Sequence, residues 1–200
     1  MIEQVEQTKQ ASVLVNQVVS NEYTLYLNDP IESIDQYMDH IHIFKTASSD
    51  DVILLDVTSS GGQVAVSEQY ISEMNKSAAL IVAIVGMGVA SAASAICLAA
   101  DDLVVTEMST MLIHSFSSGS QGTAGEMYKE AEFNKALNER WLDKRFGEFL
   151  TDEEKSDVLK GVDLVFNAEQ IEERWVAILE SKQSEFMEPK EVEEPPQMIH

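Results

Sequence analysis

The chain has 200 residues, with 13 Lys and Arg against 35 Asp and Glu, and its formal net charge is −22. Such acidity repels phosphate backbones and anionic bilayers, so we expect neither a nucleic acid nor a membrane as a partner. The single Cys excludes an intramolecular disulfide framework. Because the first residues also lack a secretion signal, we expect a cytoplasmic protein.

Three segments differ in composition. Residues 1–20 are polar with weak periodicity, and we expect them to form a flexible arm. Residues 21–180 are expected to form one globular domain. Residues 181–200 contain three of the four prolines and several Glu residues, which predicts an acidic, disordered tail.

Within the domain, β-favouring runs alternate with helical patterns. The predicted strands are 23–27, 52–57, 80–85, 103–106, 111–115 and 164–166. The predicted helices are 34–44, 64–74, 91–100, 124–146, 152–160 and a last helix from residue 168. This alternation predicts an α/β fold with repeated β-α units and a mainly parallel sheet.

One uncharged run, residues 77–100, is long enough to span a bilayer. Gly86 and Gly88 interrupt it, so we predict a strand, a turn and a buried helix instead.

Three features carry residues suited to chemistry. The glycine turn at 60–64 follows a buried strand and leaves backbone N–H groups free to face an oxyanion. Ser91 begins a helix, whose dipole favours negative charge beside it. His114 ends a strand and suits a general base. Each feature also has a structural explanation, namely a β-α turn, a helix cap and a hydrogen-bonded histidine.

A serine nucleophile needs a base, an acid that orients the base, and donors for the oxyanion. Ser91, His114, an acid such as Asp163 and the Gly62 N–H would together supply all four. The combination therefore favours hydrolysis through an activated serine over the separate structural explanations.

In this order, the motifs resemble the proteolytic subunit of the Clp protease, a family of self-compartmentalising serine peptidases with a crotonase-like fold. The resemblance covers about residues 23–171. The family's Ser-Pro-Gly-Gly-Ser-Val loop corresponds to residues 59–64, its Gly-x-Ala-Ala-Ser segment to 86–91, and its Met-Ile-His to 112–114. The Ala-Ser-Ala-Ala-Ser sequence that follows Val89 is similar to the corresponding segment of Clp-type peptidases of tailed phages.

The resemblance implies endopeptidase activity. It implies that Ser91 is the nucleophile, His114 the base and Asp163 the orienting acid. The N–H groups of Gly62 and Ala92 would be the two oxyanion donors. Ser94 is the alternative nucleophile, and Asp157 is the alternative acid.

The resemblance also implies an assembly. Family members form heptameric rings that dock through a protruding handle, which corresponds to the helix from Ala124. Their substrates are unfolded polypeptides, commonly delivered by an ATP-driven AAA+ unfoldase, and the chain itself would need no cofactor or metal. Val162 stands where the family has an Arg that pairs across stacked rings, and Phe116 stands where it has a Pro.

Other functions remain open. A phage head-maturation peptidase would use the same triad, and a catalytically silent regulator could co-assemble with a host Clp protease. A peptidase with a lysine base would use Lys129 or Lys135. A crotonase acting on acyl-coenzyme A would share the fold without needing the Ser-His-Asp set.

Overall fold

The computed structural model describes residues 20–187. In chain order, its strands are β1 (Glu22–Leu27), β2 (Val52–Val57), β3 (Leu80–Val85), β4 (Val89–Ala90), β5 (Asp102–Val105), β6 (Thr110–Ile113) and β7 (Leu164–Asn167). Its helices are α1 (Met38–Thr46), α2 (Val64–Met74), α3 (Ala92–Cys97), α4 (Ala124–Phe146), α5 (Asp152–Leu159) and α6 (Ala168–Met187). A 3-10 turn at Ile34–Tyr37 precedes α1 and forms the first part of the predicted first helix.

The strands form two sheets. The first is entirely parallel, with the order β1-β2-β3-β5. The second has the order β4-β6-β7, in which β4 and β6 run parallel while β6 and β7 run antiparallel. The predicted α/β fold is therefore confirmed. The predicted mainly parallel pairing is confirmed as well, since only β6 and β7 pair antiparallel. The division into two sheets was not predicted, because β4 has only two residues and a strand of that length leaves no readable period.

Alternate residues of the first sheet face the core. Leu55 and Ala83 are fully buried there, together with the neighbouring Val57 and Val85. On the opposite face Tyr26, which is 61% exposed, remains open to solvent. One face of this parallel sheet is thus only partly covered in the single chain, although parallel sheets usually bury both faces.

The uncharged run at 77–100 folds as strand, turn and buried helix, as predicted. It supplies β3, β4 and α3, and α3 ends at Cys97 instead of the expected Ala100. The last three residues of the run instead lead the chain into β5. Within residues 20–187 no helix has the length and apolar character needed to cross a bilayer.

Two reciprocal caps fix the last two helices. The predicted capping box of Thr151 and Glu154 is present at α5. At α6 the Asn167 side chain accepts the Gln170 N–H, and the Gln170 side chain accepts the Asn167 N–H, both at 3.0 Å. Helix α6 continues to Met187, so it includes the first part of the segment predicted as a disordered tail. The rest of that tail and the predicted arm before residue 20 lie outside the described residues.

Arg174 joins α6 to α5. Its guanidinium donates to both carboxylate oxygens of Glu154, at 2.7 and 2.9 Å, and to the Phe149 carbonyl oxygen at 2.7 Å. It also lies over the ring of Phe166, 4.6 Å from the centroid. The hydrogen bonds from Arg174 lower the pKa of the Glu154 carboxyl. This network holds the two C-terminal helices against each other.

Asp51→Asn is expected to lower the melting temperature at neutral pH. Backbone N–H groups of Ser48 and Asn21 donate to the Asp51 carboxylate and lower its pKa to about 2. Because an unfolded Asp has a pKa of about 3.9, this stabilisation is present above that value and is lost as the pH falls through about 2. Thermal unfolding should show the difference between wild type and variant narrowing across this interval. A difference that stays constant down to about pH 2 would contradict the assignment.

Candidate active site

A cleft of about 710 Å³ brings together the three chemical features of the sequence. One side is the glycine turn between β2 and α2, with Gly61 and Gly62. Ser91 lies at the junction of β4 and α3, and His114 directly follows β6. Residues separated by more than fifty positions in the chain therefore line one surface.

The glycine turn requires residues without side chains. Gly61 has φ +87°, and a Cβ atom there would lie 2.5 Å from the Ala90 carbonyl oxygen and 2.9 Å from the Ser91 Cβ. Gly62 has φ +155°, and a Cβ atom there would lie 2.1 Å from the Ile31 carbonyl oxygen. Such contacts are too short for any other residue. Gly61 therefore allows the turn to lie against the strand before Ser91, and Gly62 allows it to lie against Ile31.

Two backbone N–H groups beside Ser91 remain available to a ligand. Among the hydrogen bonds of residues 20–187, the N–H groups of Gly62 and Ala92 have no acceptor. The Ala92 nitrogen would lie 3.0 Å from a Cβ atom on Gly61, so the backbones of the turn and of α3 approach each other closely. These are the two donors that the sequence predicts for an oxyanion.

Ser91 has a backbone conformation unusual for a residue with a side chain. Its φ is 57° and its ψ is −121°, the only positive φ of a non-glycine residue in the described part of the chain. Although Ser91 occupies the N-cap position of α3, its side chain makes no capping hydrogen bond. The interpretation of Ser91 as a simple helix cap is therefore wrong. A strained conformation of this kind is typical of nucleophilic serines at strand-helix turns.

Ser94, the alternative nucleophile, is differently placed. It is fully buried, and its hydroxyl donates to the Leu112 carbonyl oxygen at 2.9 Å. It does not line the cleft. A hydroxyl that is buried and already donating is poorly suited to attack a substrate, so the geometry favours Ser91.

The ladder of β6 and β7 ends one residue short of both His114 and Asp163. Its last antiparallel pair is Ile113 with Leu164, and continuing the register by one residue would set His114 opposite Asp163. Residues opposed in this way commonly have Cβ atoms about 5 Å apart. The Asp163 side chain is exposed and, unlike His114, it does not line the cleft. Within residues 20–187, however, the His114 ring forms a hydrogen bond with neither Ser91 nor Asp163.

Asp157, the alternative acid, lies in α5 and not at the end of β7. Its carboxylate accepts a hydrogen bond from the Lys160 ammonium group at 3.0 Å. Catalytic hydrogen bonds are often long before substrate binds, and of the two acids only Asp163 is next to the strand that pairs with β6.

The segment after His114 is held by Asn138, which the sequence did not single out. The Asn138 side chain is buried in α4, donates to the Ser115 hydroxyl and accepts the Phe116 N–H at 3.4 Å. Its position on an otherwise apolar face of the predicted helix was the available signal, since a buried amide needs partners.

Glu68 connects the C-terminal end of α4 to α2. The Glu68 carboxylate accepts hydrogen bonds from the Trp141 indole at 3.0 Å and from the Arg145 Nε at 2.6 Å, and it also pairs with the Arg145 terminal nitrogen. Since α2 follows the glycine turn, one carboxylate links the turn's helix with the helix that holds the residues after His114.

The arrangement has the parts of an acyl-transfer site. Ser91 has its hydroxyl at a strained turn and His114 lies in the same cleft. The N–H groups of Gly62 and Ala92, next to Ser91, have no acceptor among the described residues. Such a set can attack a carbonyl carbon and stabilise the oxygen that becomes negative.

Comparison with known proteins agrees with this chemistry. The family model described as Clp protease matches residues 6–163, which is more than three quarters of the chain and ends at Asp163. No curated protein matches the chain significantly.

Ser91→Ala should abolish covalent labelling by a fluorophosphonate, whereas Ser94→Ala should still be labelled. The reagent requires an activated serine hydroxyl, and of Ser91 and Ser94 only Ser91 lines the cleft beside His114. Intact-protein mass spectrometry measures the adduct, and circular dichroism checks that both variants fold. Labelling that persists in Ser91→Ala, or that disappears in a folded Ser94→Ala, would contradict this choice of nucleophile.

Proposed function

Because the chain belongs to the Clp protease family, a family of peptidases, we propose that it is a serine endopeptidase that hydrolyses peptide bonds in unfolded polypeptides. The observation that carries this proposal is the convergence of Ser91, His114 and the glycine turn in one cleft. The family match supports the type of reaction, and the cleft supports the residues that perform it.

In the proposed reaction, the Ser91 oxygen attacks the carbonyl carbon of the scissile bond while His114 accepts the hydroxyl proton. The Gly62 and Ala92 N–H groups stabilise the resulting oxyanion. His114 then gives the proton to the departing amine, and a water molecule hydrolyses the acyl-enzyme by the same steps.

Asp163 would orient the His114 ring and stabilise its protonated form. Support comes from the β6-β7 register, because its last pair, Ile113 with Leu164, consists of the chain neighbours of His114 and Asp163. A substrate in the cleft would exclude water and favour the short hydrogen bonds that the free site lacks.

A second cavity of about 390 Å³ adjoins the cleft and is mainly apolar. It lies between the start of α2 and the base of α4, and shares Val64, Ala65 and Phe116 with the cleft. Its volume and lining suit a large apolar side chain of the substrate next to the scissile bond.

Ser91→Ala and His114→Ala should each lower peptide hydrolysis by at least about a thousandfold, because the nucleophile and its base act as a unit. Asp163→Asn should lower it by about a hundredfold or more, since the ring loses its orienting charge. The measurement is the release of a fluorophore from a short peptide with a leucine before the scissile bond.

Asp157→Asn is the matched control for Asp163→Asn, because it removes the same charge at the competing position. It should leave hydrolysis nearly unchanged. If Asp157→Asn is the variant that loses activity, the orienting acid is misassigned. A wild type that neither cleaves peptides nor takes up a fluorophosphonate would instead favour the silent regulator.

Assembly into a ring is also part of the proposal. On the part of α4 before Asn138 the side chains of Met127, Tyr128, Phe133 and Leu137 are between 42% and 66% exposed. Tyr26, Leu80 and Val104 are exposed on the open face of the first sheet. Apolar groups in such numbers favour contact with further subunits, and family resemblance suggests heptamers. That an AAA+ unfoldase delivers substrate is inferred from the family alone.

Phe133→Glu should shift the particle towards smaller species. The phenyl ring is 66% exposed on α4, and a carboxylate there would have to be desolvated in any contact between subunits. Light scattering coupled to gel filtration gives the particle mass. Met38→Glu, which makes the same change at an exposed apolar residue of α1, should retain the wild-type mass. A wild type that is monomeric at every concentration would refute the proposed assembly.

A further inference from the structure

Ser59 is a fully buried polar residue between β2 and the glycine turn. Its hydroxyl donates to the Asp29 carbonyl oxygen at 2.7 Å and accepts the Gly61 N–H at 3.1 Å. The small side chain thus uses both its donor and an acceptor lone pair on backbone groups. Neither the cleft nor the proposed reaction includes Ser59 itself.

The backbone of Ser59 makes a third link. Its carbonyl oxygen accepts the Ala90 N–H at 3.0 Å, in the strand that ends immediately before Ser91. On the other side of the turn, the Gly61 carbonyl oxygen accepts the Ile31 N–H at 2.9 Å. Ser59 therefore connects the loop at Asp29, the glycine turn and the strand that carries the nucleophile.

We propose that Ser59 is a positioning residue, which fixes the direction of the Gly62 N–H relative to Ser91 and so keeps the oxyanion donor aligned. This inference rests on the proposed peptidase function. Both glycines have φ values that leave the turn many alternative conformations. The Gly62 N–H belongs to the same planar peptide unit as the Gly61 carbonyl oxygen, which the Ile31 N–H holds. The Ser59 hydroxyl holds the preceding peptide unit through the Gly61 N–H, so the two hydrogen bonds together set the direction of the Gly62 N–H.

Loss of this hydroxyl has a specific consequence. The Gly61 N–H and the Asp29 carbonyl oxygen would be left without partners in a buried environment, and the turn would move to regain them. A displacement of about 1 Å of a catalytic donor can lower a rate by about a hundredfold. Since the donor acts on the oxyanion and not on the bound substrate, the turnover number should fall while KM changes little.

The test compares Ser59→Ala with wild type in peptide hydrolysis and in inhibition by a peptide aldehyde. The aldehyde adds the Ser91 oxygen to its carbonyl carbon, and the proton of the hydroxyl passes to the new hemiacetal oxygen or to His114. The hemiacetal oxygen occupies the place of the oxyanion. We expect kcat to fall by about 10- to 100-fold, KM to stay within about threefold, and the aldehyde inhibition constant to rise in parallel with the loss in kcat.

Ser109→Ala is the matched control. Ser109 is also buried, and its hydroxyl donates to the Val85 carbonyl oxygen at 2.5 Å and accepts the Thr106 N–H at 2.8 Å. It lies before β6, whereas His114 follows that strand. The control loses an equivalent pair of hydrogen bonds, so it should lower the melting temperature without changing kcat or the aldehyde inhibition constant.

Ser59→Cys keeps a side chain of similar shape with a weaker donor and acceptor, and it serves if Ser59→Ala does not fold. It should show a smaller change in the same direction. Normal kinetics in a folded Ser59 variant, or an equal loss of kcat in Ser109→Ala, would overturn the inference alone. A wild type without hydrolysis and without fluorophosphonate labelling would overturn the proposed function and this inference with it.

Discussion

The glycine turn packs closely on two sides because neither Gly61 nor Gly62 has a side chain. A Cβ atom on Gly61 would collide with the strand that leads to Ser91, and one on Gly62 would collide with the Ile31 backbone. Backbone cannot move aside as the end of a flexible side chain can. The contact with the strand also brings the turn next to the free Ala92 N–H. The two donors of the candidate oxyanion site therefore depend on a packing constraint between two β-α connections.

The segment after His114 depends on α4, whose two halves have different environments. Near its end Trp141 and Leu142 are buried, and Glu68 holds this C-terminal part of the helix against α2. Its first half is exposed and carries large apolar side chains such as Phe133. Asn138 lies between these halves and contacts the residues after His114. A contact that orders the exposed half would therefore also affect the segment that follows His114.

Periodicity predicted most of the fold because most elements are amphipathic or wholly apolar. Helices α2 and α4 and the central strands β2 and β3 occur within the predicted bounds. The second sheet was missed since β4 has two residues, and its partner strands are distant in the chain. The length of α6 was underestimated because a polar surface helix and an acidic tail have similar compositions.

For the site, motif order indicated which residues are relevant, and only three-dimensional contacts separated the alternatives. Ser91 and Ser94 differ by one helical turn in sequence, but one lines the cleft and the other is bound to Leu112. The roles of Ser59 and Asn138 could not be predicted, since each depends on hydrogen bonds to backbone groups from another part of the chain.

The positions that depart from the family's sequence motifs lie mostly away from the cleft. Val162 is 46% exposed at the chain surface. Phe116 is the exception, because it lines the cleft and its N–H donates to Asn138. A proline there would stiffen the chain but has no N–H to donate, so a hydrogen bond to α4 takes over the task of holding this segment. This distribution supports the proposed peptidase chemistry more strongly than it supports the family's contact between rings, because Val162 cannot form the ion pair that an Arg would form.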